Sequence, residues 1–137
     1  MPSPARLFID TSYVLALYNK GDQFHERCVK AMTMAKEARQ LITTDAVLLE
    51  IGNAFAAISR RSQGARIIRD FLSSPQVKVE HLTPDYFSKA LELYEQRSDK
   101  AWGMVDCFSF IVMKKFRVSH SLSTDHHFLQ AGFKIIP

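Results

Sequence analysis

Five short apolar runs, at residues 7–9, 41–43, 77–82, 118–122 and 133–136, alternate with longer segments of helical periodicity along this chain. Strands separated by helices imply a parallel sheet wound on both faces. The chain has 137 residues, 47% of them hydrophobic, which is enough for one compact domain with one adequate core. The expectation is an α/β fold over residues 1–137, with no repeat, linker or low-complexity tract.

The helical segments have recognisable ends. Thr11 or Ser12 is placed to cap a first helix whose apolar side is Val14, Leu15, Leu17 and Tyr18. Phe24, Cys28, Ala31 and Ala35 recur at helical spacing opposite Glu26, Arg27, Lys30 and Lys36, predicting an amphipathic helix that ends near Gln40. Thr44-Asp45 caps a third helix, expected to run to about Arg61, and a basic helix follows over residues 63–74. Thr83-Pro84-Asp85 opens a helix to about Arg97. Residues 102–116 form another, apolar nearly all round, and a short helix precedes the last strand.

Against this frame four carboxylates stand out. Asp10 ends the run Leu7-Phe8-Ile9, and Asp125 follows Ser121-Leu122-Ser123-Thr124. Both therefore lie at the carboxyl end of a predicted strand, where open α/β sheets place their binding crevice. Glu50 sits at the edge of the stripe Val47, Ile51, Ala54, Ile58 and points toward the core. Asp106 is the only charge between Ala101 and Met113, in the first turn of its helix, where the dipole favours an anion. Two carboxylates about 4 Å apart repel by roughly 4 kcal/mol at an effective dielectric of about 20. A convergent set is tolerable when a hard divalent cation such as Mg²⁺ or Mn²⁺ neutralises it.

The formal net charge is +4 and the pI about 9.2, which beside an acidic cluster favours a polyanionic partner. Cys28 and Cys107 have neither zinc-site nor disulfide-framework spacing and read as reduced core residues. The longest apolar stretch, residues 107–113, is interrupted by Ser109 and is far short of a membrane span. A soluble, cytoplasmic protein with no membrane association is expected.

The segments F-I-D-T-S-Y-V-L-A-L at 8–17, L-L-E at 48–50, W-G-M-V-D-C-F-S-F at 102–110 and S-T-D-H-H-F-L-Q-A-G-F at 123–133 together resemble the PIN-domain ribonucleases. The resemblance is closest to VapC-type toxins of prokaryotic toxin–antitoxin pairs and runs nearly end to end. It implies a three-layer fold with a five-stranded parallel sheet flanked by helices. The implied activity is Mg²⁺- or Mn²⁺-dependent endoribonuclease cleavage, with the protein usually a homodimer and held inactive by a cognate antitoxin. By the same resemblance Asp10, Glu50, Asp106 and Asp125 are the catalytic acids and metal ligands. Asp99 also matches a family position and is expected to reach the metal through water or to bind a second ion. Thr11, Ser12 and Ser123 are expected to hydrogen-bond the carboxylates or a phosphate; the family often has Thr at the Ser123 position, and the hydroxyl is kept. Arg60, Arg61, Arg66, Arg69, Lys114, Lys115 and Arg117 are the candidate RNA-binding residues. The antitoxin is expected over the first two helices, with Tyr13, Leu17, Met32 and Met34 as exposed apolar contacts.

Competing readings make definite demands. A haloacid-dehalogenase-like phosphatase needs D-x-D-x-T after the first strand, and Asp10-Thr11-Ser12-Tyr13 lacks it. A receiver-like domain needs an acidic pair in the first loop, which is absent. The remaining alternatives are a PIN-like nuclease acting on DNA or flaps, and a binding-only RNA-binding domain without catalysis. His126 and His127 are adjacent and so point in different directions, which favours capping or surface packing over a metal pair. Trp102 is expected in the core.

Overall fold

The computed structural model describes residues 4–137. Five strands, β1 (Arg6–Ile9), β2 (Gln40–Thr44), β3 (Val77–Glu80), β4 (His120–Leu122) and β5 (Lys134–Ile136), form one sheet. All pairings are parallel and the spatial order is β3-β2-β1-β4-β5. The chain builds outward from β1 to β3 on one side, then crosses to β4 and β5 on the other. This reversal puts the topological switch point between β1 and β4.

Among the described residues seven α-helices flank the sheet: α1 (Thr11–Leu17), α2 (His25–Glu37), α3 (Asp45–Ala54), α4 (Arg61–Ser73), α5 (Pro84–Gln96), α6 (Met104–Lys115) and α7 (His127–Gln130). The core is continuous, from Leu7, Phe8 and Ile42 of the sheet to Ile51, Phe108, Phe110 and Met113 of the helices, all buried. Trp102 is buried as expected, just before α6, and its indole N–H donates to Gln130 Oε1 at 3.0 Å. Cys28 and Cys107 are free and buried, and burial pushes each thiol up to about 11.

The third helix corrects the sequence expectation. It stops at Ala54 instead of continuing to about Arg61, and a single 3₁₀ turn, Ile58–Arg60, leads into α4. The stretch Phe55-Ala56-Ala57 has no helix breaker, so the cause is tertiary. Phe55 is buried against Gly64 of α4, where an added Cβ would lie 2.6 Å from the Phe55 Cβ. Close packing of two helices at a glycine overrides local propensity. Likewise α2 ends at Glu37, before Gln40, because Ala38 turns extended and Gln40 enters β2. Tyr13 is a second correction. It is buried, with its hydroxyl donating to Cys28 O at 3.0 Å, and so is no exposed contact for an antitoxin; Leu17, Met32 and Met34 are half-buried.

Candidate active site

The carboxyl ends of β1 and β4 are stitched together by the Asp10 N–H, which donates to Leu122 O at 3.0 Å. Asp10 itself is the N-cap of α1, a role the sequence had assigned to Thr11 or Ser12. Its Oδ2 accepts from the Ser12 N–H at 3.3 Å, the Ser12 hydroxyl at 2.5 Å and the Ser123 hydroxyl at 3.1 Å. Each of those hydroxyls is oriented from behind. Ser12 Oγ accepts from the Thr124 N–H and Ser123 Oγ from the Asp125 N–H, both at 3.0 Å. With their lone pairs occupied by backbone donors, the two hydroxyls turn their protons toward Asp10. None of these bonds falls on Oδ1.

Asp10 is only 5% exposed. Burial pushes its carboxyl up to about 6; the Ser12 and Ser123 bonds oppose this, and nearby Asp106 adds to it. Asp106 lies in the first turn of α6 and accepts the Gly103 N–H at 3.2 Å. Its carboxyl too is held above the usual range, by burial first and also by Asp125. One ligand atom each from Asp106, Asp125 and His127 lies within 4.8 Å of the other two. At that separation two bare carboxylates repel by about 3 kcal/mol at an effective dielectric of about 20.

His127 is the residue that sequence reasoning set aside. Its Nδ1 lies 3.1 Å from Asp106 Oδ2 and 3.3 Å from Asp125 Oδ1, while its own N–H donates to Asp125 Oδ1 at 2.9 Å. Asp125 thus forms a tight turn that swings the second histidine of the pair inward and leaves His126 exposed. The expected divergence of the two adjacent histidines is not seen: their ring centroids are 4.8 Å apart, and they differ in exposure, not in general direction. The turn geometry of D-H-H, with a carboxylate capping two residues on, was the signal that the second one faces Asp125.

Glu50 accepts from the hydroxyl of Thr11, the residue after Asp10, at 2.5 Å, and is not among the clustered ligand atoms. Asp99 is placed differently. Its carboxylate accepts from Arg97 Nε at 3.0 Å and Arg97 Nη2 at 3.2 Å, with Lys100 Nζ at 3.7 Å, and Arg97 holds it below the usual carboxylate range. It is not among the clustered ligand atoms.

The basic candidates do not form one surface. Arg60 lies over the Phe55 ring at 4.3 Å, and Arg61 donates to Ala56 O at 2.9 Å, at the α3–α4 junction. Arg66 and Arg69 are exposed on α4. Lys114 and Lys115 line a depression shared with Glu80 and Asp85, and Lys115 Nζ is 3.8 Å from Glu80. Arg117 opens onto a different depression.

The donor chemistry fits a divalent cation: two partly buried carboxylates, an imidazole nitrogen, and a buried third carboxylate, Asp10, close enough to Asp106 to raise its own pKa. The group sits at the switch point of a parallel sheet, the place where open α/β sheets generally bind their ligands.

The PIN domain model matches residues 7–134. The chain is 30% identical over 129 residues to the 23S rRNA-specific endonuclease VapC20 of Mycobacterium tuberculosis, covering 93% of this chain and 95% of that protein. The crystal structure of M. tuberculosis VapC20, described as a sarcin-ricin loop cleaving toxin, superposes with a TM-score of 0.84 at 28% identity, over 96% of this chain and 99% of that one. FitAcB from Neisseria gonorrhoeae shares the fold, with a TM-score of 0.68 at 11% identity over 96% of each chain. Family model, sequence and fold agree: the chain belongs to the PIN-domain family and is a VapC-type ribonuclease.

Proposed function

We propose that residues 1–137 form one catalytic domain that cleaves structured ribosomal RNA with the help of Mg²⁺ or Mn²⁺, as the toxin of a toxin–antitoxin pair. The observation that carries this reading is the meeting of Asp106, Asp125 and His127 beside buried Asp10 at the switch point. Asp10, Asp106 and Asp125 hold the cation, and the oxygen-rich set favours Mg²⁺ or Mn²⁺ over softer metals. When bound, the cation supplies Lewis acidity toward a phosphate oxygen and lowers the pKa of a water. Ser12 and Ser123 keep Asp10 oriented; Glu50, positioned by Thr11, would orient the attacking water and take its proton as the water oxygen bonds to phosphorus and the bond from phosphorus to the leaving ribose oxygen breaks, that oxygen taking a proton from solvent. His127 fixes the geometry of Asp106 and Asp125. Asp99, tied to Arg97, has no part in this scheme.

The substrate class follows from the VapC20 relative, whose names specify 23S rRNA and the sarcin-ricin loop. A cytoplasmic site of action and an antitoxin partner belong to the same reading. Exposed Phe87, Leu91 and Tyr94 recur at helical spacing on α5 and support a homodimer.

The test is incubation of total cellular RNA with the purified, partner-free protein in Mg²⁺, Mn²⁺ or EDTA, beside Asp10→Asn. Metal-dependent cleavage mapping to 23S rRNA and lost in the variant is the expected result. Cleavage confined to DNA, or RNA binding without cutting under either metal, would overturn it.

A further inference from the structure

The amino edge of the sheet carries a second charged surface, opposite in sign to the acidic cleft. Arg6, Arg39, Arg117, His120 and Lys134 line a depression of about 860 Å³ that has no acidic residue on its walls. The parallel topology assembles it. Arg6 pairs in register with Gln40, next to Arg39, and His120 pairs with Lys134, so Arg6 and Lys134 at the starts of β1 and β5, and Arg39 just before β2, bring three cations to one edge beside the His120 imidazole. Among the described residues, none of Arg6, Arg39, Arg117 and Lys134 is ion-paired with a carboxylate. The walls of this depression therefore carry cations without a carboxylate among them. Burial, and then Lys134, holds the His120 imidazole below its ordinary pKa.

Arg117 supplies an independent observation. It follows the C-cap of α6 with φ +54°, the left-handed region, while Val118 N–H closes the helix on Met113 O at 2.8 Å. Glycine occupies this position without steric cost and is the usual residue there. A long cation held at a position suited to glycine indicates that the side chain, not the backbone, is what the position supplies.

We propose that this amino-edge depression is a second RNA-binding surface that grips the phosphates of a folded RNA whose scissile bond lies at the opposite edge. The inference rests on the ribonuclease reading. Without its cation the acidic cluster repels phosphates, so basic side chains elsewhere on the surface are the source of RNA affinity that is independent of metal. Arg6 and Asp10 are four residues apart on β1, about 13 Å along the strand. Both edges are within reach of one folded RNA domain, and neither touches the phosphodiester held at the other.

The experiment uses the full chain carrying Asp10→Asn, in EDTA, and a folded ribosomal RNA fragment followed by fluorescence anisotropy across a salt series. Adding Arg39→Gln with Lys134→Gln is expected to weaken binding about tenfold or more near 0.1 M salt. The slope of log affinity against log salt should become shallower by about 0.7–0.9 for each phosphate that is no longer neutralised. Removing the same charge elsewhere, with Lys20→Gln and Lys30→Gln, is expected to change binding far less. Arg117→Gly is expected to lower RNA affinity while the melting temperature holds or rises, which a purely structural arginine would not do. Unchanged affinity and slope in the Arg39/Lys134 variant, or equal weakening in the Lys20/Lys30 control, would overturn the surface. Displacement of the RNA by polyglutamate as readily as by RNA of equal charge would assign it to an acidic protein segment and also overturn it. Wild-type protein that binds RNA through this edge but cuts none would refute the ribonuclease reading alone; cutting with no dependence on these cations would refute this surface alone.

Discussion

Asp10 ends a strand, caps a helix and sits buried beside a second carboxylate, and these roles conflict in the metal-free protein. A carboxyl raised from 3.8 to about 6 takes up its proton more readily folded than unfolded. Between those two values the folded state binds more protons, so this group's contribution to stability falls as pH rises, by roughly 3 kcal/mol in full. Asparagine keeps an oxygen for the Ser12 and Ser123 donors and caps well. In EDTA, Asp10→Asn should therefore gain stability relative to wild type as pH rises from about 4 to 7, followed by thermal melts, while losing cleavage. A constant difference across that window would mean that the buried charge is already compensated. His127→Ala removes the ring between Asp106 and Asp125; a loss of about 10–100-fold in Mn²⁺ affinity by calorimetry, with the fold intact, is expected for a group that orients ligands. Unaltered affinity would reduce His127 to a helix-start residue.

Among the elements, those with strong periodicity or a capping residue were legible in the sequence. Thr44 and Thr83 cap α3 and α5 as expected, each accepting a backbone N–H three residues on. Two ends differ: α1 is capped by Asp10 in place of Thr11 or Ser12, and α3 stops where Phe55 turns into the core against Gly64. Alanine-rich sequence beyond it carries no stop signal, so only the approach of α4 explains the break. Gly64→Ala should cost about 1–3 kcal/mol by forcing α3 and α4 apart, seen as a lower urea midpoint. A neutral result would show that the Phe55 side chain yields easily.

For the whole molecule, the proposed cation site would couple metal binding to folding. A cation at about 100 times its dissociation constant adds about 2.7 kcal/mol, or roughly 10 °C of melting temperature for a chain of this size. Asp106→Asn should remove most of that gain, and millimolar Mg²⁺ or Mn²⁺ leaving the wild-type curve in place would count against a preformed site. The charge layout has the same global character: acids gather at the carboxyl edge of the sheet and unpaired cations at the amino edge. No helix among the described residues is long and apolar enough to cross a membrane.

The sequence alone determined the alternation of strands and helices, and with it the parallel sheet, because hydrophobic periodicity and caps are local properties. It also placed Asp10 and Asp125 at strand ends, which the topology then made neighbours. Tertiary structure decided which groups meet: Ser123 reaches Asp10 across a separation of 113 residues, His127 turns in between Asp106 and Asp125, and Asp99 is taken by Arg97. Those meetings depend on crossovers and turns that bring distant backbone together at one edge, and no local pattern encodes the distance between two side chains so far apart in the chain.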